Sequence, residues 1–434
     1  MANSYLTWQN STATNSTKFT MSAWVKRGNL NSSSYNCIMS CRQTSSTNAM
    51  GLWFGEDKVY FNYGTGASSS NTGFDTTARV RDTNAWYHIV VAGDASQSGT
   101  DKLKVWINGT QQTSFVTDNR SSFATLANDF GNTTYPIQVG RKHDDTFFWD
   151  GYMSHVAFVD GTALTPSSFG ETDSTSGIWK FKSPAGVSWG NNGFHLKFEN
   201  SGNMGLDSSG QGNNFTTNGD LKQALDTPSN VYATMNGINK GPYFVGTLSN
   251  GNLSHTGITA GNYYTPGSTL RVSSGKWYAE FKCQAVTNWA GVGIDTRNMT
   301  ATNDWIGKTA SGWSYLGGSS AGGSNSLQHN NSSSSYGDSY ATNDIIGIAL
   351  DLDNKKLYFS KNGTWQNSGD PTSGATGTGA INISTIEDDV YFGAFNWSGS
   401  YTAGWDFNFG NGFFGTTAIT SAGSNGNGSL FEYD

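Results

Sequence analysis

The segment DIIGIALDLDNKKLYFSKNG, from Asp344 to Gly363, decides the fold class of this chain. Isoleucine and leucine recur at every second position from 346 to 350, and Leu357 and Phe359 repeat that spacing after a polar turn around Asp353. A second turn follows at Asn362-Gly363. Apolar residues at a period of two, separated by turn residues, are typical of a β-hairpin. The segment therefore predicts two antiparallel strands with one buried face.

This hairpin closely resembles the central hairpin of SPRY domains, which are β-sandwich binding modules. The resemblance extends through the chain from about Gly241, in the family's order. The further elements are LSNGNLS from Leu248, SSGKWYAEFKC from Ser273, AGVGID from Ala290, GWSYLG from Gly312, VYFGAFNWS from Val390 and WDFNFG from Trp405. It implies a domain that binds rather than one that catalyses. Two long glycine- and serine-rich insertions depart from the family pattern, and we expect them to be loops: Gly317–Ser335 and Ser368–Ala380.

The composition of the whole chain favours β-structure. The chain has 434 residues, enough for two or three domains, with 13% charged residues and 55 glycines. Aromatic residues suit pleated surfaces, and glycine suits turns. So polar a chain could instead be disordered, but its 15 Trp, 25 Phe and 19 Tyr argue against that, because disordered segments are poor in aromatic residues. We therefore predict an all-β fold.

The net charge excludes one class of partner, and hydropathy argues against another. A formal charge of −7 without a Lys/Arg-rich run predicts no nucleic-acid partner. No apolar run approaches the ~20 residues of a membrane span, and the start MANSYLTWQNST lacks the pattern of a secretory signal.

Three cysteines cannot form a complete disulfide framework, so buried free thiols are favoured. Whether Cys37 and Cys41 pair stays open at this point.

The first half of the chain contains repeated strand patterns separated by short turns. They predict a second β-sandwich, since no convincing helical period appears beyond a short turn at LTPSSFG, residues 164–170. The order of four motifs resembles laminin-G-like, concanavalin A-like domains over roughly residues 15 to 200. These motifs are FTMSAWVK, WYHIVV, KVWINGTQ and DGYMSHVAFVDGTAL. The longer phrase from Asp150 to Glu171 closely resembles a recurring segment of virion structural proteins of marine tailed bacteriophages.

Between the two halves lies a turn-rich stretch. The segment from Leu206 to Asp220 resembles the opening turn of laminin-G-like domains, although here it follows the other motifs. Either the sandwich closes by pairing His195–Asn200 with early strands, or the stretch is a loop. Pro228 excludes regular structure from the segment Asp226–Gly237, which we interpret as the junction. The predicted organisation is two consecutive antiparallel β-sandwiches of the concanavalin A-like, jelly-roll kind, at 1–218 and 241–434, joined by 219–240.

Catalytic patterns do not emerge from the sequence. Glycoside hydrolases on this scaffold use a Glu-x-Asp-x-Glu run, and the nearest candidate, Glu171 to Asp173, leads into a loop. Asp351 and Asp353 have a suitable spacing, but they occupy the hairpin turn, where Asp is favoured for local hydrogen bonds. The six histidines show no metal-ligand spacing. We therefore predict no catalytic residues and a protein that is not an enzyme.

Two sets of candidate binding residues remain. Asp144, Asp145 and Asp150 form an acidic cluster on a predicted loop, and laminin-G-like domains often hold Ca²⁺ at the sandwich rim, where oxygen ligands suit it. A solvated acidic loop is the alternative. Aromatic residues near turns of the SPRY-like half can stack on sugars or anchor a protein, or simply pack under the loops. These candidates are Trp289, Trp305, Trp313, Tyr315, Trp365 and Trp397.

Together these features predict a non-enzymatic phage virion surface protein. The expected role is that of a tail fibre or tail-associated appendage that recognises a host-surface glycan or protein. A capsid decoration or knob protein is the first alternative, and a polysaccharide-degrading enzyme on a jelly-roll scaffold is the second. The expected partners are other virion structural proteins and, if the chain self-associates, further copies of itself. We expect the protein to be made in the host cytoplasm and to be located on the virion surface.

Overall fold

The computed structural model shows a nearly all-β chain, with 44% strand and 5% helix, as the sequence predicts. It divides into two compact units, residues 1–223 with 227–231, and residues 224–226 with 232–434. The residues that the structure describes are 4–30, 35–42, 49–63, 73–126, 130–131, 133–143, 145–239, 246–256, 263–264, 267–286, 290–297, 304–317, 325–397, 404–419, 421–424 and 428–433.

The first unit is a sandwich of two antiparallel sheets. Its strands are β1 (Tyr5–Trp8), β2 (Lys18–Arg27), β3 (Tyr35–Arg42), β4 (Ala49–Gly55), β5 (Lys58–Asn62), β6 (Gly73–Arg79), β7 (Tyr87–Asp94), β8 (Leu103–Ile107), β9 (Thr110–Gln111), β10 (Phe115–Asp118), β11 (Ile137–Val139), β12 (Gly151–Asp160), β13 (Gly170–Thr172), β14 (Trp179–Phe181), β15 (Phe194–Leu196) and β16 (Thr216–Asn218). The eight-stranded sheet has the order β10-β6-β5-β4-β3-β11-β1-β16, and the six-stranded sheet β15-β12-β2-β7-β8-β9.

The core of this unit lies between those two sheets. Every second side chain of β2 points into it, and Phe19, Met21 and Val25 are at most 1% exposed. Facing strands contribute Leu52 and Phe61, which have no exposed surface. In the described residues of the first unit, helical structure is confined to 3-10 turns, including one inside the predicted LTPSSFG turn. These turns are Gly99–Lys102, Arg120–Ser122 and Pro166–Ser168.

The closure of the first unit differs from both sequence-based alternatives. The strand β15, which begins the HLKFEN segment, pairs with β12 rather than with an early strand. The early strand β1 instead pairs with β16, which lies in the segment Leu206–Asp220. Between them, Asp207 accepts hydrogen bonds from the backbone N–H groups of His195, Ser209 and Asn213 at 2.8–2.9 Å. These bonds fix the turn and direct the chain back to the first strand.

The outer face of the six-stranded sheet is covered by residues 164–189. The hairpin β13–β14 places Trp179 over this face, where its Nε1 donates to Nδ1 of His88 at 3.0 Å. The indole packs on Gly109 and Gly170, since a Cβ at either position would lie 2.6 Å from ring atoms. Nearby, His155 stacks on Phe181 with ring centroids 3.6 Å apart. The cover therefore buries polar side chains that would otherwise face solvent.

The second unit is also a sandwich of antiparallel sheets. Its strands are β17 (Thr247–Ser249), β18 (Ser254–Thr256), β19 (Tyr263–Tyr264), β20 (Lys276–Ala285), β21 (Ala290–Asp295), β22 (Gly312–Gly317), β23 (Ser326–His329), β24 (Ser332–Ser335), β25 (Ile345–Asp351), β26 (Lys356–Lys361), β27 (Thr364–Trp365), β28 (Ile381–Asn382), β29 (Tyr391–Trp397), β30 (Gly404–Asn408), β31 (Phe413–Phe414) and β32 (Thr417–Ala418). One sheet has the order β17-β18-β30-β20-β25-β26-β27, with β28 beside β26, and the other β19-β29-β21-β22-β23-β24.

The predicted central hairpin is confirmed as β25 and β26. Ile348 pairs with Phe359 and Leu350 with Leu357, and these four side chains are at most 1% exposed. Asp351 accepts hydrogen bonds from the backbone and side-chain nitrogens of Asn354 at 2.9 and 2.8 Å. The Asp351 carboxylate therefore stabilises the turn, as expected from its position.

The two predicted insertion loops are more structured than the sequence suggests. The end of Gly317–Ser335 forms the hairpin β23–β24, so the prediction that this whole segment is a loop is wrong. Adjacent strands supply backbone partners, and these favour strand structure even for a run of four serines. The segment Ser368–Ala380 contains a 3-10 turn, Pro371–Thr376, whose N-terminus is capped by the Asp370 side chain. A shorter 3-10 turn, Gln366–Ser368, precedes it.

A buried carboxylate fastens the segment 430–433 to the outer face of the sheet that contains β20. Glu280 is 0% exposed, and its oxygens accept the backbone N–H groups of Glu432 and Tyr433 at 2.8 and 2.6 Å. Asn408 and Tyr278 donate to the same carboxylate. Burial raises the pKa of Glu280 to about 7, although these four donors oppose the shift.

Two further expectations concern the cysteines and a membrane span. Cys37, Cys41 and Cys283 are buried and outside any disulfide, as the sequence favours, so Cys37 and Cys41 do not form a disulfide with each other. Within the described ranges, no helix has the length and apolar character needed to cross a bilayer.

We predict that the two sandwiches fold independently, as separate cores joined by a turn-rich segment should allow. Fragments 1–218 and 230–434 should each be soluble and give a cooperative thermal transition with β-rich circular dichroism. A fragment that is insoluble or unfolded, while the full chain folds, would show that the predicted boundaries 1–218, 219–240 and 241–434 or the two-domain organisation is wrong.

Candidate functional site

The structure separates the predicted aromatic residues into buried and accessible ones. Trp313 and Tyr315 lie in β22 and are 2% and 0% exposed. The Trp313 ring stacks on His329 at 4.2 Å, and Tyr315 packs against Tyr336, Tyr340 and Phe359. The prediction that these two rings are ligand contacts at loop mouths is therefore corrected, because strand alternation directs both into the core.

Trp305 occupies an accessible turn of the second unit. Its half-buried ring packs beside Ile306, Leu316 and Phe395, outside the main core. Lys308 holds its Nζ 4.4 Å from the ring centroid, in a cation–π arrangement. The same Nζ donates to Oδ1 of Asn331 at 3.0 Å. One indole thus lies beside an ammonium group and an exposed amide.

The turn between β23 and β24 completes this surface. Asn330 and Asn331 both have positive φ, as a two-residue hairpin turn requires. Their backbone N–H groups donate to the carbonyls of Thr309 and Gly307 at 3.2 and 3.1 Å. We name Trp305, Lys308, Asn330 and Asn331 the Trp305 patch.

Beneath the Trp305 patch, an ion-pair network fixes the turn. Arg297 contacts Asp295 through Nη2 at 2.9 Å and Asp304 through Nη1 at 3.2 Å. Its Nη2 also donates to the carbonyl of Trp305 at 3.0 Å. Burial is the largest single influence on Arg297 and opposes its charge, but the hydrogen bond to Asp295 and the attraction of Asp295, Tyr391 and Asp304 together outweigh it and raise the pKa of the guanidinium. Because Asp295 is fully buried, breaking this network would leave an uncompensated charge.

Of the remaining predicted aromatic residues, Trp365 is the one whose side chain the structure describes. Trp365, in β27, is half-buried and makes edge contacts with Tyr278 and Tyr358, with centroids 6.2 and 6.3 Å apart. Trp289 lies outside the described residues. Trp397 ends β29, but its side chain lies outside the described part of the chain. Of these three residues, the structure therefore places only the side chain of Trp365, in contact with Tyr278 and Tyr358.

The predicted calcium ligands are only partly described. Asp145 is exposed and forms an ion pair with Arg141, and Asp144 lies outside the described residues. The Asp150 carbonyl accepts the backbone N–H of Gly28 at 3.0 Å. Among the residues that the structure describes, no three His, Cys, Asp or Glu side chains converge as metal ligands. Calcium binding stays a prediction.

One accessible aromatic residue was missed. Trp277, at the start of β20, is 43% exposed. The sequence places it in a strand with alternating apolar residues, and that pattern predicts burial. Its position near the strand end, two residues after Gly275, is the only signal that could have indicated exposure.

Several solved structures match part of the chain at low identity. The SPRY domain of human HERC1 is 19% identical and covers 37% of this chain and 91% of its own, with a TM-score of 0.28. The TRIM65 PSpry domain is 13% identical, covers 41% and 91%, and has a TM-score of 0.31. A candidate carbohydrate binding protein from Bacteroides ovatus is 20% identical, covers 52% of this chain and 59% of its own, and has a TM-score of 0.33.

Family models give a more specific result. No curated protein sequence matches the chain. The model described as "Concanavalin A-like lectin/glucanases superfamily" matches residues 1–168, and the SPRY domain model matches residues 276–382. Both are domain types associated with binding or recognition. The chain therefore contains a laminin-G-like domain of the concanavalin A-like kind, followed by a SPRY domain.

Proposed function

We propose that this protein is a non-enzymatic recognition component on the surface of a bacteriophage particle, as a tail fibre or tail-associated appendage. The observation that carries recognition is the tandem of a laminin-G-like domain and a SPRY domain. The phage assignment is supported by the resemblance of Asp150–Glu171 to virion structural proteins of marine tailed phages. The ligand would be a host-surface glycan or protein.

The Trp305 patch is the contact surface that we assign to this role. An indole beside an ammonium and two amides offers stacking, charge and hydrogen bonding across two neighbouring turns. The Arg297 network holds that turn in place, so little conformational entropy would be lost on binding. A Trp313 variant would not test this function, because removal of that buried ring would open a cavity in the core.

We expect Trp305→Ala to leave particles intact but to reduce adsorption to host cells by roughly tenfold, as for a central aromatic contact. Adsorption is measured as residual free phage after timed mixing with cells. Val116→Ala, at a side chain 59% exposed in the first unit, is the matched surface control. Unchanged adsorption with folded Trp305→Ala protein on the particle would contradict this assignment of the surface.

Two alternatives are distinguished by separate measurements. Gold-labelled antibody on intact particles, viewed by electron microscopy, places the protein on the tail or on the capsid. Label on the capsid, together with particles that lose stability without the protein, would favour a decoration protein. New reducing ends after incubation with host polysaccharides would favour the enzyme, since the first domain belongs to a superfamily that includes glucanases.

A further inference from the structure

We propose that Trp277 and Asp353 form a binding site for a neutral sugar ring, on the SPRY domain and built from different residues than the Trp305 patch. The inference rests on the proposed recognition function and names a ligand class for it. The indole supplies a stacking surface, and the free carboxylate oxygen accepts a hydrogen bond from a sugar hydroxyl. Both groups are held by the same short turn before β20.

The exposure of Trp277 is unusual for its position. Ala279 and Phe281 follow on the same side of β20 and are both 0% exposed, whereas Trp277 is 43% exposed. Among the exposed large hydrophobic side chains of the described residues, it is the only aromatic one. A ring of this size contributes a large apolar area when covered, so its exposure leaves a favourable stacking surface available.

The ring is held in one orientation. Its Nε1 donates to the carbonyl of Ser274 at 2.7 Å, which occupies the only hydrogen-bond donor of the indole. It lies against Gly275, since a Cβ there would be 3.5 Å from Nε1. Gly275 has φ +83°, a conformation in which glycine is favoured. What the ring offers to a ligand is therefore its apolar surface, in a fixed position.

Asp353 supplies the polar contact beside the same glycine. Its Oδ1 accepts the backbone N–H of Gly275 at 2.8 Å, and the residue is exposed. Within the described part of the chain, its Oδ2 has no hydrogen-bond partner. The neighbouring Asp351 differs, because it is 4% exposed and its oxygens contact Asn354 and Lys276. Only Asp353 therefore presents a free oxygen at this turn.

The chemistry of the pair selects the ligand class. The C–H face of a pyranose packs on an indole, and its hydroxyls donate to a carboxylate, a charge-assisted bond stronger than a neutral one. A carboxylate at the rim disfavours acidic sugars, because like charges at close range repel. The combination therefore fits a neutral glycan better than a sialylated or uronic one. An apolar side chain of a protein could use the ring but would leave Asp353 without a role.

The test uses the full chain and an array of neutral oligosaccharides that includes cellotriose, maltotriose and triacetylchitotriose, with sialyllactose as the acidic probe. Binding is then quantified by isothermal titration calorimetry. We expect at least one neutral oligosaccharide to bind, with affinity lost at least tenfold in Trp277→Ala and nearly retained in Trp277→Phe. Asp353→Asn should weaken binding roughly tenfold, since the amide keeps one acceptor but presents a donor at the other position.

Val116→Ala, at an exposed side chain of the first unit, is the control and should bind the oligosaccharide like the wild type. Thermal melting of each variant confirms that it is folded. The inference is overturned if no neutral oligosaccharide binds, if Trp277→Ala binds as the wild type does, or if only sialyllactose binds. A different result separates the two proposals. If the oligosaccharide binds as expected but the protein plays no part in adsorption to host cells, the proposed function is overturned and this site stands.

Discussion

Lowering the pH from 8 to 5 is expected to move the melting transitions of the two units in opposite directions. In the first unit, burial lowers the pKa of His88 to about 3, of His155 to about 3 and of His195 to about 4. In the second unit, burial raises the pKa of Glu280 to about 7 and also raises that of Asp406. Differential scanning calorimetry across this pH range measures both transitions.

The direction for the first unit follows from the neutral state of His88. Trp179 can only donate to Nδ1, so the ring proton lies on Nε2 and faces the Ser22 hydroxyl at 2.8 Å. A second proton on Nδ1 would oppose the Trp179 donor. The unfolded chain takes up protons below its ordinary histidine pKa of 6.5 and the folded chain does not, so stability falls as pH drops from 6.5 towards 3. The shifted pKa of His88 alone lowers the free energy of unfolding of the first unit by about 2 kcal/mol at pH 5.

The second unit is expected to become more stable as the pH falls, because its buried titratable groups are acids with raised pKa values. Above pH 7 the folded unit must hold a charged Glu280, whereas the unfolded chain ionises it freely above about 4.5. Stability is therefore regained as pH falls through 7, by about 2 kcal/mol between pH 8 and pH 5. Each kcal/mol corresponds to roughly 2–4 °C for a unit of this size.

Two variants check the assignment of these pH effects. His88→Asn keeps an acceptor near Trp179 without a titrating group. It should therefore reduce the pH dependence of the first unit's melting temperature. Glu280→Gln should flatten that of the second unit, at the cost of lower stability, because its amide nitrogen would face a donor. If both melting temperatures of the wild type moved in the same direction between pH 8 and pH 5, the prediction would be wrong.

Trp405→Ala is expected to destabilise the second unit by about 3–5 kcal/mol and to leave the first unit unchanged. Trp405 is 0% exposed and packs against Tyr340 with ring centroids 6.1 Å apart. Its strand, β30, lies between β18 and β20, so its removal would leave a large cavity beside these two strands. The melting temperature of the second transition should fall by roughly 10 °C.

Two substitutions serve as controls for Trp405→Ala. Trp405→Phe should cost much less, since the buried Nε1 has no hydrogen-bond partner among the described residues and nothing polar is lost with it. Trp277→Ala, at a side chain 43% exposed, should change stability by no more than about 0.5 kcal/mol. A matching shift of the first transition in Trp405→Ala would show that the two units do not unfold independently.

Much of the fold could be predicted because the alternation of apolar residues is a local property. The hairpin β25–β26 follows from Ile346 to Leu350 and from Leu357 to Phe359, and the turns follow from Asp, Asn and Gly. The same reasoning missed the hairpin β23–β24, since four serines carry no apolar alternation. Neighbouring strands supply the backbone partners that stabilise it.

The candidate sites show a similar division. The sequence indicated that aromatic residues near turns of the second half were candidates, and Trp305 is accessible in its turn. It could not distinguish Trp305 from Trp313, because both have short polar stretches beside them. Trp313 is buried because β22 lies between β21 and β23, with His329 stacked on its ring. Trp277 was missed because its strand pattern predicts burial.

The sequence by itself determined that this chain forms strands, where many of them turn, and which alternate side chains point to one face. Only the tertiary structure decided which faces are covered. In β2, polar residues alternate with the core residues and point to the opposite face. Three of them, Thr20, Ser22 and Lys26, are nevertheless no more than 1% exposed. The cover includes residues 162–164, which bond to Thr20, and Trp179, which bonds to His88 beside Ser22. A period of two fixes the side to which a residue points, but burial depends on chain segments more than a hundred residues away.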